Sequence, residues 1–282
     1  GAYANTSPNM ARAAATDCSG PYNIENISCD SYCVYTNHNY ATSFRGFGHG
    51  VSTFGIEMAM NKLARKLDMD PLELRKINAT KGGHLSPTQS LTTLSNTGDL
   101  EKCISRLRDL MHWDKGNKII TDKGTIITKG ISCFWKTSSS PTDAGSGVVL
   151  ICNKDGTINA NFGATEIGPG MKTTIGQIIA EKMNMDIDDI HVFMDVDTQI
   201  TPKHWKTVAS MSTFMVGNAA VNACEDLIKQ IKEVASIALK CPPEDIAIGN
   251  KMAFIKADPN KFVEFKEIAH GYKYKEGSSI YG

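Results

Sequence analysis

Arg45, Phe47 and His49 are interleaved with Gly46, Gly48 and Gly50, directly ahead of an amphipathic helical pattern. Glycines in such a loop admit left-handed backbone angles and let the chain approach a ligand closely. The amides of the helix start that follows can face an anion. Arg45 adds a permanently charged planar fork suited to phosphate or an oxo group, and Phe47 offers a flat apolar face for an aromatic ring. Taken alone, this loop is accounted for equally well as a glycine-rich turn with a core phenylalanine.

A second glycine loop shifts that balance. Gly163-Ala-Thr-Glu-Ile-Gly-Pro-Gly-Met-Lys-Thr-Thr174 follows two apolar runs, Gly147 to Cys152 and a second ending at Phe162, joined by Asn153-Lys-Asp-Gly156. The two runs read as a hairpin. After Gly170, the residues Ile175, Ile178, Ile179 and Met183 recur on one helical face. Strand, glycine loop and helix in that order suit a phosphate. The resemblance to a nucleotide-binding P-loop stops at Met171, which separates Gly170 from Lys172-Thr173, whereas that motif needs glycine directly before the lysine. A phosphate-binding NTPase is therefore the lesser alternative.

At five places the residues match a known pattern, in family order and over nearly the whole chain: Phe44-Arg-Gly-Phe-Gly48, Glu166-Ile-Gly-Pro-Gly170, Asp197-Thr-Gln-Ile-Thr-Pro202, Thr207-Val-Ala-Ser-Met-Ser-Thr213 and Gly217-Asn-Ala-Ala220. Gly1-Ala-Tyr-Ala4, Gly20-Pro-Tyr22 and Val34-Tyr-Thr-Asn37 fit the same pattern. The chain resembles the molybdenum-binding large subunit of the xanthine dehydrogenase and aldehyde oxidase family of molybdenum hydroxylases. The resemblance implies an internal portion of a larger catalytic subunit: residues 1–96 from the end of a first molybdopterin-binding domain, residues 97–282 from the start of a second. It implies molybdenum with molybdopterin, in the simple or the cytosine dinucleotide form, and no direct protein ligand to the metal. Iron–sulfur clusters and FAD would lie on other domains or partner subunits. The activity implied is oxidation of an N-heterocycle or an aldehyde with water as the oxygen source.

Residue by residue, Arg45, Gly46 and Phe47 match the family loop beside the molybdenum, with Phe47 stacking on a planar substrate. Gly168, Pro169, Gly170 and Met171 match the loop around the pyranopterin and its phosphate, and Ala209, Ser210 and Ser212 a segment whose amides and hydroxyls contact the cofactor. Helix capping before Phe214 is the less favoured alternative for Ser210 and Ser212. Arg12 and Phe134 align near substrate-contacting positions. The resemblance assigns no catalytic residue here, because its general base belongs to a later segment; Glu166 reads as structural. Two departures stand out. Pro169 replaces a glutamine, removing an amide donor and the glutamine side-chain contact, and His49-Gly50 replaces a common Pro-Gln or Pro-Glu. The first leaves a non-catalytic scaffold or assembly subunit of the same fold as an alternative.

The elements that must position these loops are readable in outline. Ser52 can cap a helix carrying Phe54, Met58, Leu63 and Leu67 on a broad apolar face. Asp70-Pro71 starts another, with Glu73 completing a capping-box-like pattern. A polar stretch from Thr80 to Gly98 marks the domain boundary, a helix spans Leu100 to Met111, and the longest helical pattern runs from Phe214 to Lys240 before Cys241-Pro-Pro243. Met58, Met60, Met183 and Met185 read as core filling, Trp135 and Trp205 as packing residues. His38, His191 and His204 have no spacing that argues for a site. Mixed helices and strands without regular βαβ alternation indicate an α+β class with mixed sheets and packed helices.

Composition agrees. The 282 residues carry 30 basic and 30 acidic side chains, which gives no reason to expect a nucleic-acid or membrane-surface partner. No apolar run is long enough to span a membrane. Eight cysteines without a Cys-x-x-Cys pair argue against zinc or iron–sulfur ligation and for reduced thiols in a cytoplasmic protein.

Overall fold

Short polar residues and proline punctuate the helices of the first half of the chain. The computed structural model describes residues 1–3, 5–39, 42–136 and 142–271. Helix α1 (Ser7–Thr16) has Pro8 in its first turn, and α2 (His49–Lys66) begins at the left-handed Gly48. Helix α3 (Pro71–Asn78) is capped by Asp70, which accepts from the Leu72 amide at 2.7 Å. Short α4 (Leu94–Thr97), then α5 (Leu100–Leu110), lead into a small hairpin of β1 (Lys118–Ile120) and β2 (Ile126–Thr128). These elements belong to one compact unit, Gly1–Ser138.

Two expectations are corrected here. Ser52 does not cap α2; it lies inside the helix and its hydroxyl donates to the His49 carbonyl at 3.0 Å. The anticipated apolar face does not point inward either: Phe54 is 71% exposed, and Met58, Leu63 and Leu67 are exposed too. The buried face carries His49, Glu57, Met60 and Ala64. An ion pair turns the helix that way. Arg75 of α3 is fully buried and donates to Glu57 through Nε at 3.0 Å and Nη2 at 2.6 Å, while the Tyr22 hydroxyl donates to the other carboxylate oxygen. Arg75 also reaches Asn61 Oδ1 and the Pro71 carbonyl, each at 3.0 Å, so the buried charge is well supplied with acceptors. Glu73 is not held in a capping box; it accepts from Arg108 of α5 at 2.9 Å.

The second unit, Ser139–Gly282, is built on the anticipated hairpin. Strands β3 (Val149–Cys152) and β4 (Ile158–Asn161) pair antiparallel, with Leu150 opposite Ala160. Helix α6 (Met171–Met183) then crosses over to β5 (Ile190–Phe193), which pairs parallel to β4 and makes one βαβ unit. The long α7 (Met211–Leu239) is followed by an antiparallel sheet of β6 (Ile246–Gly249), β7 (Met252–Ile255) and β8 (Asp258–Glu264), then by short α8 (Phe265–Ile268). Leu150, Ile158, Phe162, Ile175, Ile179, Met183, Val216, Leu227 and Ile231 form a core with no exposure. Helices α6 and α7 run side by side in the same direction. Met171 meets Thr213, Ile178 meets Gly217, and Lys182 pairs with Glu225 at 2.8 Å. Both therefore begin on the same side of the unit. The class is α+β, as expected.

Met60, Met183 and Met185 are core residues, whereas Met58 is not. All the cysteines are free thiols; burial pushes Cys152 up to about 11 and Cys224 to about 12, which makes them packing groups. Among the described residues no helix is long and apolar enough to cross a membrane.

Candidate cofactor-binding loops

In the first unit, Gly46, Phe47 and Gly48 hold successive left-handed φ values of 82°, 45° and 90°. At Gly48 no other residue fits, because a Cβ there would lie 2.2 Å from the Met10 carbonyl oxygen of α1. The next residue, His49, places its buried ring against the buried carboxylate of Asp17, the C-terminal cap of α1. The Phe47 amide donates to Ser43 Oγ at 3.1 Å. Helix α2 has no side-chain cap; its His49 and Val51 amides donate to the Gly46 and Gly48 carbonyls at 3.0 and 3.2 Å. The loop is thus fastened from behind while Arg45 and Phe47 are exposed, Phe47 at 39%. Arg12 is exposed on α1, and Phe134 is exposed beside the buried Cys133.

In the second unit, the Glu166 carboxylate sits in the glycine loop. It accepts from the amides of Gly168 at 2.7 Å, Gly170 at 3.1 Å and Met171 at 2.7 Å. The Gly170 amide, then those of Gly168 and Met171, hold the carboxyl below the usual range despite some desolvation. Glu166 is therefore a fixed anion and a poor proton acceptor. Pro169 costs this nest nothing, because the residues on either side of it supply the donors. Since the folded carboxyl is the more acidic, its contribution to loop order is present above the ordinary value of 4.5 and is lost as pH falls below it. We expect amide exchange at Gly168, Gly170 and Met171 to speed up on acidification through that range. Glu166→Gln should abolish the pH dependence; an unchanged profile would show that the carboxylate does not order the loop.

The same unit brings the third segment to this loop. Thr207 Oγ1 accepts from the Thr165 amide at 2.9 Å, and Gly163 packs so tightly that a Cβ would lie 2.6 Å from the Pro202 carbonyl oxygen. Ala209 and Ser210 are both left-handed, with φ of 50° and 62°, and α7 starts without a side-chain cap. Gly168–Met171 and Ala209–Ser212 thus stand at two adjacent helix N-termini that point the same way. Glu166 offsets the partial positive charge at the start of α6, while the start of α7 carries no such carboxylate cap. Ala209 and Ser210 are exposed there; Ser212 is buried, its Oγ 3.2 Å from His204 Nε2. His204 had no sequence signal, since its side-chain partners lie 8 and 58 residues away.

Such a donor set holds a phosphorylated, polar ligand through backbone groups. The family model described as molybdopterin cofactor-binding domain matches residues 106–281, and a second model of the same description matches residues 1–79. The chain belongs to the molybdopterin cofactor-binding domain family. It is 29% identical to the xanthine dehydrogenase molybdenum-binding subunit of Escherichia coli O157:H7, over 85% of this chain and 32% of that protein. It is 32% identical to the aldehyde oxidoreductase of Megalodesulfovibrio gigas, over 74% of this chain and 23% of that protein. Quinoline 2-oxidoreductase from Pseudomonas putida 86 shares the fold, with a TM-score of 0.61 at 18% identity, over 96% of this chain and 37% of that one. The chain spans 32% of the length of the E. coli relative. The starts of α6 and α7 lie side by side, the first with its Gly170 and Met171 amides on Glu166, the second with the Met211 amide donating to the Val208 carbonyl at 2.8 Å and the Ala209–Ser210 turn exposed.

Proposed function

We propose that this chain holds molybdopterin within the catalytic subunit of a molybdenum hydroxylase of the xanthine dehydrogenase type, oxidising an N-heterocycle or an aldehyde with water as the oxygen source. The observation that carries the reading is the pair of parallel helix starts of α6 and α7, lying within the matched residues 106–281. When bound, the cofactor supplies two-electron redox chemistry at its molybdenum. The exposed Ala209–Ser210 turn at the start of α7 binds its anionic part, and Glu166 keeps the neighbouring loop rigid. Exposed Arg45 holds the pterin side, Phe47 stacks on a planar substrate, and Arg12 and Phe134 contribute to the substrate's surroundings. A carboxylate bound by three amides does not move a proton well, so the general base lies outside the residues assigned here. Iron–sulfur and FAD domains or subunits receive the electrons, in the cytoplasm. We place the family's domain division near residues 96 and 97, between the separate matches to residues 1–79 and 106–281, whereas the compact units divide later, after Ser138. Around Pro169 the amides of Gly168, Gly170 and Met171 close on Glu166, so the loop is ordered without an amide at that position, which supports the binding reading over a scaffold.

The test is molybdenum and pterin analysis of the intact enzyme, with mass spectrometry of the released cofactor to separate the simple from the dinucleotide form. Near-stoichiometric molybdenum is expected, and its absence would sink the reading. Arg45→Ala should weaken cofactor retention by about tenfold or more, since a hydrogen bond to a charged group is typically worth about 1.5–3 kcal/mol. Phe47→Ala should raise KM while leaving molybdenum content nearly intact. Wild-type metal content and turnover in both variants would show that this loop is not part of the site.

A further inference from the structure

Ser146, His204 and Ser212 form a hydrogen-bonded line within the second unit. Ser146 Oγ meets His204 Nδ1, and His204 Nε2 lies 3.2 Å from Ser212 Oγ. The backbone fixes the line on both sides: Ser146 and His204 form an antiparallel bridge, the Trp205 amide donates to the Gly145 carbonyl at 3.0 Å, and the Gly147 amide to the Lys203 carbonyl at 3.2 Å. Burial lowers the pKa of His204 and favours the neutral ring. A neutral imidazole has one donor and one acceptor nitrogen, so the line has a direction. With Ser146 donating to Nδ1, the Nε2 hydrogen goes to Ser212 and leaves the Ser212 hydroxyl hydrogen available to a further acceptor.

The line ends where the backbone is strained. Ala209 and Ser210 are consecutive non-glycine residues in the left-handed region, a conformation that persists only where its surroundings hold it. Ser212 is two residues further, in the first turn of α7, and is 3% exposed. We propose that His204 is a positioning residue of the cofactor site, tying Ser212 to Ser146 and thereby holding the Ala209–Ser210 turn and its amides in the ligand-receiving form. This rests on the molybdopterin-binding reading above.

The experiment uses the intact enzyme, with two readouts besides turnover: retained molybdenum and pterin after dialysis, and amide exchange across residues 208–213 in cofactor-free protein. His204→Leu should speed exchange and lower retention by about tenfold, the factor expected from one lost hydrogen bond of ordinary strength. Ser146→Ala should act in the same direction but less, and the Ser146→Ala/His204→Leu pair should be no worse than His204→Leu alone. His204→Gln, whose amide can still meet Ser212, should restore most of the retention. If His204→Leu does not fold, Ser146→Ala carries the test: faster exchange and lower retention are expected, and wild-type values overturn the proposal. A His204→Leu enzyme with wild-type exchange and retention overturns the proposal, as does one that merely melts earlier. Wild-type enzyme that retains no molybdopterin overturns the cofactor reading instead, and the exchange data then still report whether the bridge holds the turn.

Discussion

Glu57→Leu should destabilise the first unit by about 3–5 kcal/mol, the usual cost of removing one partner from a buried ion pair. Arg75 has no exposure, and two of its donors converge on a single Glu57 oxygen, so the substitution leaves a fully buried guanidinium without its charged partner. It also leaves the Tyr22 hydroxyl, 3% exposed at the residue level, without its acceptor. In the wild-type protein burial first, and Glu57 second, hold that phenol protonated far above its ordinary range. Removing both charges is a different matter. Glu57→Leu/Arg75→Met should recover most of the loss, because desolvation offsets much of the attraction in such pairs. Urea unfolding of the three proteins measures this. A single variant within about 1 kcal/mol of wild type would mean that water reaches the pair.

Gly48→Ala should cost about 2–5 kcal/mol, combining roughly 1–2 for an alanine in the left-handed region with roughly 1–3 for overpacking. The added carbon would stand 2.2 Å from the Met10 carbonyl oxygen. That oxygen is backbone within α1 and cannot rotate aside, so α1 and α2 must separate, which also pulls His49 from Asp17. Gly46→Ala is the internal control. It has a comparable φ of 82°, but the nearest atom to its added carbon is the Gly50 nitrogen at 3.7 Å, leaving only the conformational cost. Thermal unfolding of both variants separates the two contributions. Equal losses would show that the contact with Met10 relaxes freely.

The hairpin of β3 and β4, the inward face of α6, the proline start of α3 and the end of α7 before Cys241-Pro-Pro243 could all be read from the chain, because period, cap and breaker act within a few residues. The glycine loops and their order along the chain pointed to the cofactor class for the same reason: each block is short and contiguous. The inward face of α2 could not be read. Its hydrophobic residues suggested one orientation, and Arg75, 18 positions beyond Glu57, imposes another by demanding a buried carboxylate. Nor could the strict need for glycine at Gly48, which depends on the Met10 carbonyl of a separate helix. The Glu166 carboxylate takes the amides around Pro169 only once the loop has closed on itself. The alignment of the α6 and α7 starts, and the line from Ser146 through His204 to Ser212, exist only after α7 has packed beside α6. A local pattern records what each residue prefers. Which charge, carbonyl or hydroxyl stands opposite it depends on packing between distant segments, and that is where the site acquires its geometry.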